Sequence, residues 1–289
     1  MSRRTRRARA VVTGAGSGIG RALALELARR GSQVVCADLA LDTAAVTAGR
    51  IEAAGGRALA VRCDVASATE VVELEARSRA WFGEAASLVC NNAGIGAGGH
   101  TAEDTPLADW ERTLGVNLWG VIHGCRTFVP AMRAAGGGGV VNVASAAGFT
   151  AAPRMAAYNV SKAGVVSLSE TLAAELSGTG VGVTVLCPTF VRTGIFEGEL
   201  IDARARQLAA SLAKVTGFSP ERVARTTLDA LDKGRLYVVP QPDAQLLWRT
   251  KRLVPVPYTR VAGLLGRVAP PPSAPPGATT PTDSQEAHR

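Results

Sequence analysis

Aromatic residues are scarce. Phe, Trp and Tyr together make up 4% of the 289 residues, so small aliphatic side chains must do most of the packing. Cysteine is sparse and dispersed: Cys36, Cys63, Cys90, Cys125 and Cys187 include no C-x-x-C pair, and most sit in apolar, strand-like runs. That argues against a disulfide scaffold or a zinc site, and for reduced thiols that behave as small hydrophobes. His100, His123 and His288 show no metal-ligand spacing, so no metal is expected. No apolar run approaches the ~20 residues that span a bilayer. The opening arginines lead into a short strand without the ~7–15-residue apolar core of a signal segment. The expected compartment is reduced and cytoplasmic.

Charge is low at 19% and unevenly placed. Arg3, Arg4, Arg6, Arg7 and Arg9 crowd the beginning, and Arg249, Lys251, Arg252, Arg260 and Arg267 fall in a stretch without acids from Ala244 to Thr282. Without these ten, 22 basic residues stand against 24 acidic ones, so the net +8 belongs to the ends. A basic fringe without interleaved aromatics does not make a nucleic-acid face, and no nucleic-acid partner is expected.

The chain is long enough for one large α/β domain or two smaller ones, and 47% of it is apolar. Apolar runs alternate with helical periodicities. Strands are expected at "ARAVVTG", "SQVVCAD", "RALAVRCDV", "SLVCNNAG", "GVVNVAS", "VGVTVLCP" and "GRLYVVP". Between them, helices are expected at Ile19–Arg30, Thr43–Ala54, Ala68–Phe82, Pro106–Arg133, Met155–Leu176 and Ser219–Asp232. Strands apolar on both faces and separated by helices imply an α/β, doubly wound, Rossmann-type sheet: seven parallel strands with helices on both faces. The expected organisation is a basic arm at 1–8, one domain at 9–243 with a substrate lid at 194–217, a basic amphipathic extension at 244–268 and a disordered Pro-rich tail at 269–289.

"TGAGSGIG" joins the first strand to the first helix. Gly14, Gly18 and Gly20 permit tight turning and close backbone approach, and with Ser17 and Ile19 they leave amides at a helix start for a phosphate. Asp38 ends the second strand about 20 residues on, where a carboxylate accepts bonds from ribose hydroxyls and repels a 2′-phosphate. Leu39 follows it and Ser17 precedes Gly18, so no cation stands there. NAD is expected in preference to NADP. In "YNVSK", Tyr158 and Lys162 stand four apart, on one face of a helix, where an ammonium favours the phenolate.

The ordered set of "TGAGSGIG", Asp64-Val65, "NNAG", Val116-Asn117, Ser145 and "YNVSK" resembles the short-chain dehydrogenase/reductase family, closest to its NAD-preferring members, over about Arg9 to Tyr237. The resemblance implies Tyr158 as general acid/base and Lys162 as its partner and a ligand of the nicotinamide ribose. It implies Ser145 on the substrate oxygen and Asn117 on a water linked to the lysine. Asp64 and Val65 would flank the adenine, with Asn91, Ala93 and Gly94 beside the cofactor and Pro188, Val191 and Thr193 at the carboxamide. Asn91 has a structural alternative, tying neighbouring strands together. The chain departs from the family at Thr189, where glycine is usual.

Gly96–His100, Ala146–Met155 and 194–217 are expected around the substrate. Ala146, Ala147, Phe149, Ala151, Ala152, Met155, Ile195 and Phe196 would make an apolar wall without a cation cluster, suited to a lipophilic secondary alcohol or ketone. A non-catalytic redox sensor or scaffold is the rival, and an epimerase or dehydratase on the same scaffold is a third reading. A homodimer or homotetramer is implied by resemblance. The 246–267 segment either packs on its own domain or a second subunit, or touches a membrane surface.

Overall fold

The computed structural model describes residues 4–197, 200–202, 207 and 217–268. Much of the expected lid and all of the expected tail at 269–289 lie outside these residues.

Seven strands form one parallel sheet: β1 (Arg9–Thr13), β2 (Gln33–Asp38), β3 (Arg57–Arg62), β4 (Leu88–Asn91), β5 (Gly138–Val143), β6 (Val181–Leu186) and β7 (Tyr237–Val238), in the order β3-β2-β1-β4-β5-β6-β7. Valine and cysteine fill them because β-branched and compact side chains suit a pleated surface buried on both faces. The two-residue alternation divides the core. Val12, Val34, Cys36, Cys90 and Val141 face one layer, built on α1 (Gly18–Arg29), α2 (Leu41–Ala53) and α8 (Pro220–Asp232), with Leu23, Leu27, Ile51 and Leu228. Val11, Val35, Val89, Val140 and Val185 face the other, built on α3 (Ala68–Phe82), α5 (Gly120–Ala134) and α7 (Ala156–Glu175), with Leu74, Phe128, Met132 and Val165.

Local chemistry sets several boundaries. Ser67 caps α3 by accepting from the Glu70 amide at 3.3 Å, and Gly83 ends that helix at φ 80°. Ser219 caps α8 in the same way, with Pro220 in its first turn. The expected single helix over Pro106–Arg133 is instead α4 (Leu107–Leu114), a π turn (Gly115–Trp119) and α5. The wider turn carries Asn117 into the interior.

The N-terminal end of the described chain packs on the domain. The Thr5 amide and hydroxyl donate to Asp232 at 3.0 and 2.7 Å, and Arg30 bridges Glu26, Asp229 and Asp232. After β7 come α9 (Pro242–Leu253) and α10 (Pro255–Val268), which meet at Val254. The remaining helix, α6 (Ala147–Thr150), is a single turn after β5.

Candidate active site

After β1 the chain moves toward β2, and after β4 it moves the opposite way toward β5. A crevice therefore opens at the carboxyl ends of these adjacent strands, where open α/β sheets bind ligands. The crevice is one cavity of about 1170 Å³.

At one end lies the glycine loop. Gly14, Ser17, Gly18 and Ile19 line the cavity. Ser17 is extended and makes no side-chain cap, so the start of α1 keeps its amides for another acceptor. Gly20 is not in the lining. It packs inside the turn, where a Cβ would collide with the Gly14 carbonyl and Asn92 Nδ2. Asp38 and Leu39 line the cavity beside the loop, and the Asp38 carboxylate accepts from the amides of Gly16 at 2.8 Å and Ala40 at 3.1 Å. Arg21, the cation closest in sequence to this loop, donates to the Gly16 carbonyl and the Thr47 hydroxyl. Asp64 and Val65 form the adjoining wall.

The "NNAG" turn corrects one expectation. Asn91 is buried away from the cavity: its Nδ2 donates to Asn142 Oδ1 at 2.9 Å, tying β4 to β5, and Asn142 Nδ2 continues to Ser169 Oγ at 3.0 Å. Strand alternation turns Asn92 toward the cavity instead. Its Nδ2 donates to the carbonyls of Thr13 at 2.9 Å and Gly14 at 3.2 Å, which joins the two strand ends that frame the crevice. The doubled asparagine was the available signal for this residue. Ala93 and Gly94 line the cavity beside it.

Ser145, Tyr158 and Lys162 converge at the opposite end, all buried. The Lys162 Nζ donates to the Val143 carbonyl at 3.0 Å and lies 5.8 Å from the Tyr158 ring centre. The Ser145 hydroxyl accepts from the Ala147 amide at 3.1 Å and donates to the Pro188 carbonyl at 3.4 Å. Burial pushes the phenol above its ordinary pKa, and the Ser145 hydroxyl pulls it partly back. Burial pushes the Lys162 amine down to about 8. The expectation that the lysine depresses the phenol is thus corrected for the protein alone. Desolvation disfavours both charged forms and is the largest influence on each.

Asn117 is fully buried outside the lining. Its Oδ1 accepts from the Ile95 amide at 2.8 Å, while its Nδ2 donates to the Ile95 carbonyl at 2.9 Å and to Ser161 Oγ at 3.3 Å. A Cβ on Gly94 would stand 3.1 Å from Asn117 Oδ1 and 3.3 Å from Lys162 Nζ, so glycine there keeps a small polar space between them.

Pro188, Val191 and Thr193 line the cavity after β6. Thr189 lines it too, with its amide held by Gln241 Oε1 at 3.2 Å and its buried hydroxyl without a hydrogen-bond partner among the described residues. Gln241 Nε2 also donates to the Phe190 carbonyl at 2.9 Å, so one buried side chain pins both residues.

Ala146, Ala147, Ala152, Met155 and Ile195 occupy the expected substrate wall, with Ala97, Gly98 and Gly99. Phe149 and Ala151 do not. Phe149 stacks on Trp248, and Ala151 turns outward in a left-handed conformation at φ 51°. The side chain of Phe196 lies outside the described residues. The wall is also less purely apolar than expected: Glu111, Arg112, Arg154 and Asp202 reach it, two of each sign. Leu247 and Tyr258 from the C-terminal helices complete it, and no sequence pattern pointed to them.

The family model described as short chain dehydrogenase matches residues 8–202. The probable oxidoreductase EphD of Mycobacterium tuberculosis (strain ATCC 25618 / H37Rv) is 38% identical over 255 residues, covering 84% of this chain. The chain spans 43% of that relative's length. A cyclohexanol dehydrogenase of Acinetobacter sp. (strain SE19) is 36% identical over 184 residues, 64% of this chain and 73% of its own. A solved short chain dehydrogenase/reductase from Burkholderia phymatum, in complex with NAD, has a TM-score of 0.79 at 34% identity and covers 92% of this chain and 96% of its own. With most of the sheet inside the family match and the same architecture in that solved structure, the chain belongs to the short-chain dehydrogenase family of oxidoreductases.

Proposed function

We propose that the protein transfers a hydride between NAD and a lipophilic secondary alcohol or ketone, with Tyr158 moving the proton. The observation that carries this reading is one continuous cavity, with an uncapped helix start and Asp38 at one end and buried Ser145, Tyr158 and Lys162 at the other.

The residues fit a dinucleotide. The loop at Gly14–Ile19 would hold the pyrophosphate, Asp38 the adenosine ribose, Asp64 and Val65 the adenine, and Pro188, Val191 and Thr193 the carboxamide. When bound, the nicotinamide supplies the hydride acceptor or donor. Asp38 favours free ribose hydroxyls, and Arg21 is already engaged by Gly16 and Thr47, which supports NAD over NADP.

In the oxidising direction, Tyr158 Oη takes the hydroxyl proton of the substrate, and in the reducing direction it returns one to the carbonyl oxygen. Ser145 Oγ donates to the same oxygen and stabilises its developing charge. Lys162 in its protonated form stabilises the phenolate, and Asn117 faces the small space beside Gly94 through which a water would reach the lysine. The apolar side chains of Ala146, Ala147, Ala152, Met155 and Ile195 in the wall and the cyclohexanol dehydrogenase relative support an uncharged, lipophilic substrate. The exposed Leu107, Trp119 and Val160 on adjacent helices support self-association into a homodimer or homotetramer, and the five free, buried cysteines suit a reduced cytoplasm.

The test is a panel of alcohols and ketones with NAD(H) and NADP(H), run on the wild type and on Tyr158→Phe. Turnover with cyclic or long-chain secondary alcohols and NAD, lost roughly 10²–10⁴-fold in the variant while NADH still binds, is the expected result. Unchanged turnover in Tyr158→Phe overturns the assigned role. Turnover confined to charged sugars overturns the substrate class.

A further inference from the structure

We propose that the outer face of the two C-terminal helices docks on an anionic lipid surface and sets the mouth of the substrate cavity against the bilayer. The inner side of α9 is fixed to the domain: Ala244 is fully buried, and Trp248 packs on Phe149 and Tyr237 at 4.8 and 5.3 Å between ring centres. The outer side has no such partner among the described residues. Leaving aside Leu247, which lines the cavity, six of the fourteen exposed large apolar side chains among the described residues fall between Leu246 and Leu264, including Leu246 at 67%, Leu253 at 81% and Leu264 at 59% exposure. On α10, Pro257, Val261 and Leu264 recur at helical spacing and form one stripe.

The segment is also cationic. Arg249, Arg252 and Arg260 are exposed and Lys251 is half-buried, and α9 and α10 carry no acid after Asp243. Apolar groups that enter the headgroup boundary, together with cations that meet anionic lipid, make the usual chemistry of an interfacial helix. The same charge disfavours a second copy of the chain, because a two-fold contact would press two cationic, acid-free faces together. The link to the site is direct. Leu247 on α9 and Tyr258 on α10 line the substrate cavity, so the helices that would touch lipid also form its wall. This second half rests on the lipophilic-substrate reading above; the docking half does not.

The full chain, without cofactor, is sedimented with vesicles of phosphatidylcholine alone or mixed with phosphatidylglycerol. The expected result is binding to the mixed vesicles only, weakened by salt. It should fall roughly tenfold or more in Leu253→Ser/Leu264→Ser and in Arg252→Glu/Arg260→Glu, both at unchanged melting temperature. No binding, or binding indifferent to lipid charge and to both variants, overturns the proposal. So does light scattering in which Leu253→Ser/Leu264→Ser dissociates an assembly that ignores vesicles, which would assign the face to a second copy. Turnover of a long-chain secondary alcohol delivered in mixed vesicles should drop in the same variants while that of a short, soluble one stays constant; equal effects overturn the placement of the mouth. Absence of any turnover would indict the activity reading and leave the sedimentation result standing.

Discussion

Phe149 and Trp248 stack with ring centres 4.8 Å apart and planes 16° from parallel. Phe149 sits in the single turn that follows Ser145, and Trp248 belongs to α9, so the C-terminal extension steadies the segment that presents the serine. Trp248→Ala is expected to cost ~1–3 kcal/mol, below the value for a fully buried tryptophan because Trp248 is half-buried. Its kinetic mark is a raised KM for the substrate with cofactor affinity retained. Steady-state kinetics and thermal melts check this, and Trp248→Phe should restore most of both.

Lys162 carries a pH signature. It loses its proton near pH 8 in the folded protein, against 10.5 for the ordinary side chain. Between those values the unfolded chain binds a proton that the folded chain does not, so stability rises with pH across that window. Below it the penalty for burying the ammonium is fully present, at ~3 kcal/mol. Lys162→Met should therefore abolish turnover yet raise stability at pH 7 by up to that amount, with the gain shrinking as pH approaches 9.5. Tyr158 contributes the opposite trend only above its ordinary pKa near 10, outside the measured range. Denaturant titrations at three pH values would expose a gain that does not vary, which would contradict the assigned titration.

Asn91 and Asn92 are adjacent and should separate cleanly. Asn91→Ala removes the donor to buried Asn142 and is expected to destabilise by ~1–3 kcal/mol with little change in cofactor affinity. Asn92→Ala frees the Thr13 and Gly14 carbonyls beside the glycine loop and should weaken cofactor binding several-fold with a smaller loss of stability. Melting curves set against NADH fluorescence titrations read both effects.

Gln241 holds the Thr189 amide and the Phe190 carbonyl, the segment where this chain has threonine in place of the usual glycine. Gln241→Ala should loosen that loop and raise KM for the cofactor, at a cost of ~1–3 kcal/mol for two lost buried bonds. Thr189→Val, which removes only the unpartnered hydroxyl, should leave stability within about 0.5 kcal/mol. If Thr189→Val instead alters cofactor or substrate KM, the hydroxyl acts as a ligand contact.

What the sequence by itself determined is local and periodic. The alternation of Val-rich runs with helical stretches dictated a parallel sheet covered on both faces, the glycines dictated a tight turn into a helix, and a spacing of four put Tyr158 and Lys162 on one helical face. The tertiary structure decided whatever depends on a neighbour distant in the chain or on exclusion of water. It turned Asn91 inward and Asn92 outward, because only the packed sheet says which face of β4 is filled. It raised the Tyr158 phenol instead of lowering it, because burial is a property of the whole fold. It also carried Leu247 and Tyr258 about a hundred residues along the chain into the same cavity wall as Ser145, next to the stacking of Trp248 on Phe149, a meeting that no local pattern encodes.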